Sequence, residues 1–171
     1  MRKLAPYTAI DEKDTLRRIQ EFDDFHYSLI YGSAPRTETA DQRERESQKT
    51  LAAWLAPPNA LLVILEDEIS VGLILVCYED KQVARIEDVF VDCEHRGKGL
   101  ASFAIKEVEK IIKEKSECMA ICLEVSLRNL NAVKLYHKLG YTDLGLITMR
   151  KQLGESKRDQ PIDILGLEFK Y

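Results

Sequence analysis

The chain has 171 residues, 45% of them hydrophobic and 32% charged, with a formal net charge of −4. That is the composition of one globular domain of ordinary size, and its acidic balance speaks against a nucleic-acid surface, which wants a basic patch. No apolar run approaches a membrane span, no secretory leader is visible at the N-terminus, and Cys77, Cys93, Cys118 and Cys122 lack paired C-x-x-C spacing. The cysteines therefore read as buried free thiols in a reducing cytoplasm.

In chain order, residues 4–10 read as a first strand, with Pro6 tolerable at an edge. Asp14 is placed to cap a helix running to about Ile30, whose stripe is Leu16, Ile19, Phe22, Phe25 and Leu29. Gly32-Ser33-Ala34-Pro35 breaks it. A second helix over 39–55 carries a charged, solvated face at Arg43–Glu46, docks through Leu51, Trp54 and Leu55, and stops at Pro57-Pro58. Two strands, 60–66 and 70–78, joined by Asp67-Glu68, have the spacing of a hairpin. Residues 79–81 turn into a strand over 83–92. A helix over 100–115 and a strand over 119–125 then form a right-handed β-α-β crossover with parallel strands. Residues 129–140 read as a short helix, with Asn129 or Asn131 offering the N-cap and Gly140 the C′ stop. A long strand over 141–152, a charged loop over 153–160 and a last strand over 161–171 complete the chain. No linker or repeat divides it, so residues 1–171 read as a single domain.

The stretch from Arg85 to Ser102 organises the rest. Ile86, Val89, Phe90 and Val91 suit a buried strand, yet Glu87 and Asp88 sit inside that run. A charge there costs several kcal/mol unless it is paired or faces a cavity. Arg96-Gly97-Lys98-Gly99 then makes a turn with no Cβ at two positions, leading into a helix with apolar residues at 101, 105, 108 and 112. A turn of bare N–H groups feeding a helix N-terminus is an anion site, with phosphate its usual occupant. The dinucleotide fingerprint would need glycine at Ser102, and the nucleotide P-loop would need Gly-Lys-Ser/Thr; neither is present.

The six residues Arg96-Gly97-Lys98-Gly99-Leu100-Ala101 resemble the acetyl-CoA signature Arg/Gln-x-x-Gly-x-Gly/Ala of the GCN5-related N-acetyltransferase (GNAT) family. A second motif of that family, Asn-x-x-Ala-x-x-Leu-Tyr-x-x-x-Gly-Phe, is matched by Asn129, Ala132, Leu135, Tyr136, Gly140 and Tyr141, with Tyr for the final Phe. The Glu-Asp pair before Val-Phe-Val is similar, more loosely, to polyamine, glucosamine-phosphate and streptothricin acetyltransferases. The resemblance covers nearly the whole chain. It implies an α/β (α+β) fold: a mixed, mostly antiparallel sheet of about seven strands, splayed in a V between two parallel central strands and flanked by about four helices.

The resemblance further implies acetyl-CoA as cosubstrate and a primary amine of a small molecule as acceptor, such as a polyamine, an amino sugar or an aminoglycoside. The backbone of Val89, Phe90 and Val91 would hold the pantetheine arm and acetyl carbonyl. The N–H groups of Arg96, Gly97, Lys98, Gly99, Leu100, Ala101 and Ser102 would take the pyrophosphate, and Asn129 would contact the pantetheine. Tyr136 would be the general acid and Glu87 the general base, with Asp88 as runner-up or acceptor contact. Because neighbouring strand residues point to opposite faces, Glu87 and Asp88 do not share a role easily, and either could instead pair with Arg85 or Lys81. Asp23, Asp24, His26, Tyr27 and Tyr31 could line an acceptor pocket that favours a cation, or form an ordinary polar helix face. Cys93 with His95 is too local for a Cys-His nucleophile, and no metal site is visible. Acetylation of a protein N-terminus or lysine, and a non-catalytic CoA-binding module, are the rival readings. The last strands leave room for a homodimer.

Overall fold

A computed structural model of the chain describes residues 1–78, 82–115, 117–151, 153 and 160–171. The turn expected at 79–81 and most of the loop expected at 153–160 lie outside them. The residues fall into two compact units, one of 1–25 and 35–124 and the other of 26–34 and 125–171.

The first unit holds a five-stranded sheet. Its strands are β1 (Arg2–Pro6), β2 (Asn59–Glu66), β3 (Ile69–Cys77), β4 (Val83–Val91) and β5 (Ala120–Leu123), in spatial order 1-2-3-4-5. All neighbours are antiparallel except β4 and β5, the parallel pair expected across the crossover. The hairpin between β2 and β3 turns on Asp67 (φ +51°) and Glu68 (φ +66°), the two positive φ values that a two-residue turn demands.

Helix α1 (Glu12–Tyr31) begins before Asp14, so Asp14 is not its cap. The chain enters it through a 3-10 turn over Ala9–Asp11, held by Thr8, whose N–H and hydroxyl both donate to the Asp11 carboxylate at 2.8 and 2.9 Å. Helix α2 (Ala40–Leu55) opens on a reciprocal box: Thr39 Oγ1 accepts from Gln42 N–H at 3.2 Å, and Gln42 Oε1 accepts from Thr39 N–H at 2.8 Å. Its charged face is not wholly solvated. Arg43 is half-buried and pairs with Asp24 at 2.6 Å.

β3 is buried at every position from Val71 to Cys77, so both faces of the sheet must be covered. On one face, Leu61, Leu73, Leu75 and Phe90 pack with Ile19 of α1 and with Leu51 and Trp54 of α2. Ile74, Val76 and Ile86 point the other way, where helix α3 (Leu100–Lys115) buries Leu100, Ala104, Ile105, Val108 and Ile112. Gly72 lies where β3 and β4 come closest: a Cβ there would stand 2.4 Å from the Phe90 carbonyl oxygen. Gly72→Ala is therefore expected to destabilise by about 1–3 kcal/mol, as overpacking does, measured by denaturant unfolding.

In the second unit, helix α4 (Leu130–Leu139) is bounded as its sequence indicates. Asn129 Oδ1 accepts from Ala132 N–H at 3.2 Å, and Gly140 takes the left-handed conformation at φ +100°. Residues 141–151 form no regular structure. Asp143 and Gly145, both poor strand formers, interrupt the apolar run there, and Leu144, Leu146 and Met149 stay exposed. The expected last strand is instead a hairpin of β6 (Pro161–Ile164) and β7 (Leu167–Lys170), turning on Leu165 (φ +58°) and Gly166 (φ +76°). The main sheet thus has five strands rather than about seven. Of the four free cysteines only Cys77 is buried; Cys93 and Cys122 are exposed and Cys118 is intermediate.

Candidate active site

β4 carries the two carboxylates that the sequence singles out, and its register decides where they point. Cys77 pairs with Arg85, Val76 with Ile86, and Leu75 with Asp88, so Glu87 is an extra residue with no partner on β3. This is a β-bulge, a device that re-aims side chains beside functional sites. Cys77 and Leu75 share a face, and therefore so do Arg85 and Asp88. Glu87, two residues from Arg85, follows the same face. The expectation that Glu87 and Asp88 face apart is thus overturned by the bulge. Both carboxylates lie on the side of Leu73, Leu75 and Phe90.

Their surroundings differ. Glu87 is exposed and pairs with Arg85 Nε at 3.5 Å, while Arg85 Nη1 also reaches Glu124 at 3.5 Å. Asp88 is half-buried. Desolvation, aided by the charge of Glu87, pushes its carboxyl up to about 6.

Beyond the carboxylates the strand loses a neighbour. The β4–β5 ladder ends at Ile86↔Leu123, while β4 runs on to Val91. Among the described residues, Glu87–Val91 have no strand partner on that side, which is the splay the resemblance implies. Phe90 is fixed there by Phe22, edge-on at 5.9 Å, and by the Arg96 guanidinium 5.3 Å above its ring. Arg96 Nε also donates to the Val91 carbonyl at 2.9 Å. It braces the strand end from the turn.

The turn could hold an anion. Gly97 and Gly99 adopt φ of +75° and +78°, and no atom lies within 4 Å of where a Gly97 Cβ would be. The first bond of α3 runs from Phe103 N–H to Gly99 C=O at 3.0 Å, which leaves the N–H groups of Leu100, Ala101 and Ser102 without an intrahelical acceptor. Free donors, open space and a helix dipole fit a pyrophosphate. Arg2 Nη1 stands 4.0 Å from the Gly99 Cβ position, while its Nε is paired with Glu66 at 3.0 Å.

In the second unit, the Asn129 side-chain carbonyl is taken by the helix cap. Tyr136 is half-buried on α4, its ring edge-on to Tyr141 at 6.2 Å. Tyr27 and Tyr31 lie ring to ring at 4.6 Å.

Asp23 and Asp24, sequence candidates for a cationic pocket, are already neutralised. Arg36 bonds Asp23 at 2.5 Å and Asp24 at 2.9 Å, and Arg43 adds its bond to Asp24. Sequence reasoning missed Arg18 and Asp92, a buried ion pair beside the turn. The only hint was an arginine adjoining the apolar stripe of α1. Among the described residues, no group of three or more His, Cys, Asp or Glu could hold a metal ion, and no helix is long and apolar enough to cross a membrane.

The model of the acetyltransferase (GNAT) family matches residues 18–141. An uncharacterized N-acetyltransferase of Methanocaldococcus jannaschii is 30% identical over 130 residues, covering 72% of this chain and 83% of that protein. Ribosomal-protein-alanine N-acetyltransferase of Brucella melitensis biovar Abortus superposes with a TM-score of 0.63 at 15% identity, over 88% of this chain and 100% of its own. AAC(6')-Iy, in complex with the bisubstrate analogue CoA-S-monomethyl-acetylneamine, does so with a TM-score of 0.57 at 17% identity, over 89% and 99%. The chain belongs to the GNAT family of acetyltransferases, acyltransferases that use acetyl-CoA.

Proposed function

We propose that the protein transfers the acetyl group of acetyl-CoA directly to a primary amine of a small molecule, with the Glu87–Asp88 pair on β4 receiving the ammonium. The observation that carries this reading is the bulge. It sets two carboxylates on one face and leaves one of them at about 6.

An alkyl ammonium titrates near 10.4, so only about 0.1% is free base at neutral pH, a barrier of roughly 4 kcal/mol. A base that is ionised at neutral pH yet titrates close to it is the efficient kind. Asp88 has that property, whereas Glu87 is tied to Arg85. We therefore assign proton acceptance to Asp88, and to Glu87 the holding of the ammonium and the raising of Asp88. Unpartnered backbone near Val89 supplies the N–H for the developing oxyanion, a contribution of about 3 kcal/mol in comparable sites. The donors of Arg96–Ser102 take the pyrophosphate, Asn129 contacts the pantetheine arm, and Tyr136 protonates the departing thiolate. The carboxylates support this acceptor class; the neighbours in fold are similar in architecture.

The test is thiol release from acetyl-CoA against polyamines, amino sugars, aminoglycosides, amino acids and short peptides. One small amine is expected to respond strongly. Response to peptides alone would transfer the reading to protein acetylation. Tight CoA binding in calorimetry, with silence across the panel, would make the protein a binding module.

A further inference from the structure

Between the free edge of Val89–Val91 and the turn Arg96–Gly99 stands Asp92, only 4% exposed. Its carboxylate accepts from Arg18 Nε at 2.8 Å and Arg18 Nη2 at 2.7 Å, one oxygen each, and Arg17 Nη2 reaches both oxygens at 3.3 Å. Arg18, 1% exposed, directs its remaining donors to Ser70: Nη1 to the hydroxyl and Nη2 to the carbonyl, both at 2.8 Å. The main chain of Asp92 is held as well. Its N–H donates to the Val71 carbonyl at 3.0 Å, and its own carbonyl accepts from His95 N–H at 2.9 Å. One residue thus joins α1, the start of β3, the end of β4 and the beginning of the turn.

A planar two-bond fork permits one geometry where a single bond permits many. Burial alone would raise the Asp92 carboxyl, but the hydrogen bonds and charge of Arg18, helped by Arg17, hold it below the ordinary range, so the pair stays ionised. As a source of stability a buried ion pair is a poor choice, since apolar residues of similar volume often serve as well or better. Its place beside a ligand turn gives it another use.

We infer that the Arg18–Asp92 pair is a positioning device for the pyrophosphate turn, locking Arg96–Ser102 to the free edge of β4 and thereby setting acetyl-CoA affinity. The inference rests on the acetyl-CoA reading above. Neither residue touches the cosubstrate; both act through the backbone of the turn.

The experiment compares wild type with Arg18→Met/Asp92→Leu, an apolar pair of similar volume, by thermal melting, CoA calorimetry and steady-state kinetics. The expected result is a melting temperature held or raised, with the Kd for CoA weakened about tenfold or more. KM for acetyl-CoA should rise in parallel, while KM for the amine stays put. A purely structural pair would move the melting temperature and leave this split absent. If the double variant fails to fold, Asp92→Asn takes the same readouts, since it keeps shape and one acceptor, and Arg18→Lys tests the fork. A folded variant whose CoA affinity stays within about twofold of wild type overturns the inference. Wild type that binds no CoA overturns the acetyl-CoA reading and the inference with it, a separately recognisable outcome.

Discussion

Asp88→Asn is expected to cut kcat/KM for the amine by about 10²–10⁴-fold and, at pH 8, to make the folded protein more stable. The two effects share a cause. Raised to about 6 by burial and by Glu87, the carboxyl holds its proton more tightly in the folded chain than in the unfolded one, where it titrates near 3.9. Below both values the two states are protonated alike, and the group is neutral toward folding. As pH rises between them, the folded state carries the extra proton and stability falls. Above pH 6 the penalty is complete, roughly 3 kcal/mol. Asparagine has no charge to desolvate, so the variant should melt several degrees higher at pH 8 and show no such gain near pH 4. Wild-type kcat/KM should decline below about pH 6 as the base is protonated, and this limb should vanish in Asp88→Asn. In Glu87→Gln the limb should persist but move to lower pH, because the charge of Glu87 helps to raise Asp88. A limb abolished by Glu87→Gln instead would make Glu87 the proton acceptor. An Asp88→Asn protein that melts lower at pH 8 would remove the desolvated base altogether.

That pair also marks where sequence reading stops. The strand, glycine turn and helix from Arg85 onward are legible because their signals are local. Gly97 and Gly99 stand in the turn that the sequence indicates, both at positive φ, and α3 runs over Leu100–Lys115, as the 3.6-residue period indicates. The bulge at Glu87 is not local. It exists only in the register of β4 against β3, and a strict alternation of faces, correct for an unbroken strand, sends the two carboxylates apart. The same limit applies to Asp23 and Asp24, whose partners Arg36 and Arg43 are chosen by how the chain returns from α1 to α2. Arg18 is the extreme case. An arginine next to an apolar stripe looks solvated until a buried carboxylate 74 residues away claims it. In the C-terminal region the error was of another kind: Gly166 was the hairpin signal within a continuous apolar pattern, and that pattern outweighed it.

Tyr136→Phe is expected to lower kcat by at least about 30-fold, with acetyl-CoA affinity close to wild type. The magnitude comes from the leaving group. An ordinary thiol titrates near 8.5, so expelling a bare thiolate at pH 7 costs roughly 2 kcal/mol that a positioned donor offsets, and general acids typically contribute about 10²–10⁴-fold. The affinity should hold because the substitution keeps the ring in place. The ring keeps its contact with Tyr141, and α4 remains bounded by the Asn129 cap and by Gly140. Half-buried tyrosines on amphipathic helices usually serve packing, and the kinetics separate the two roles. A packing residue would lower the melting temperature and leave turnover alone. A general acid loses turnover at saturating acetyl-CoA and amine, where binding no longer limits the rate. If kcat holds in the phenylalanine variant while melting falls, the thiolate departs without help from Tyr136.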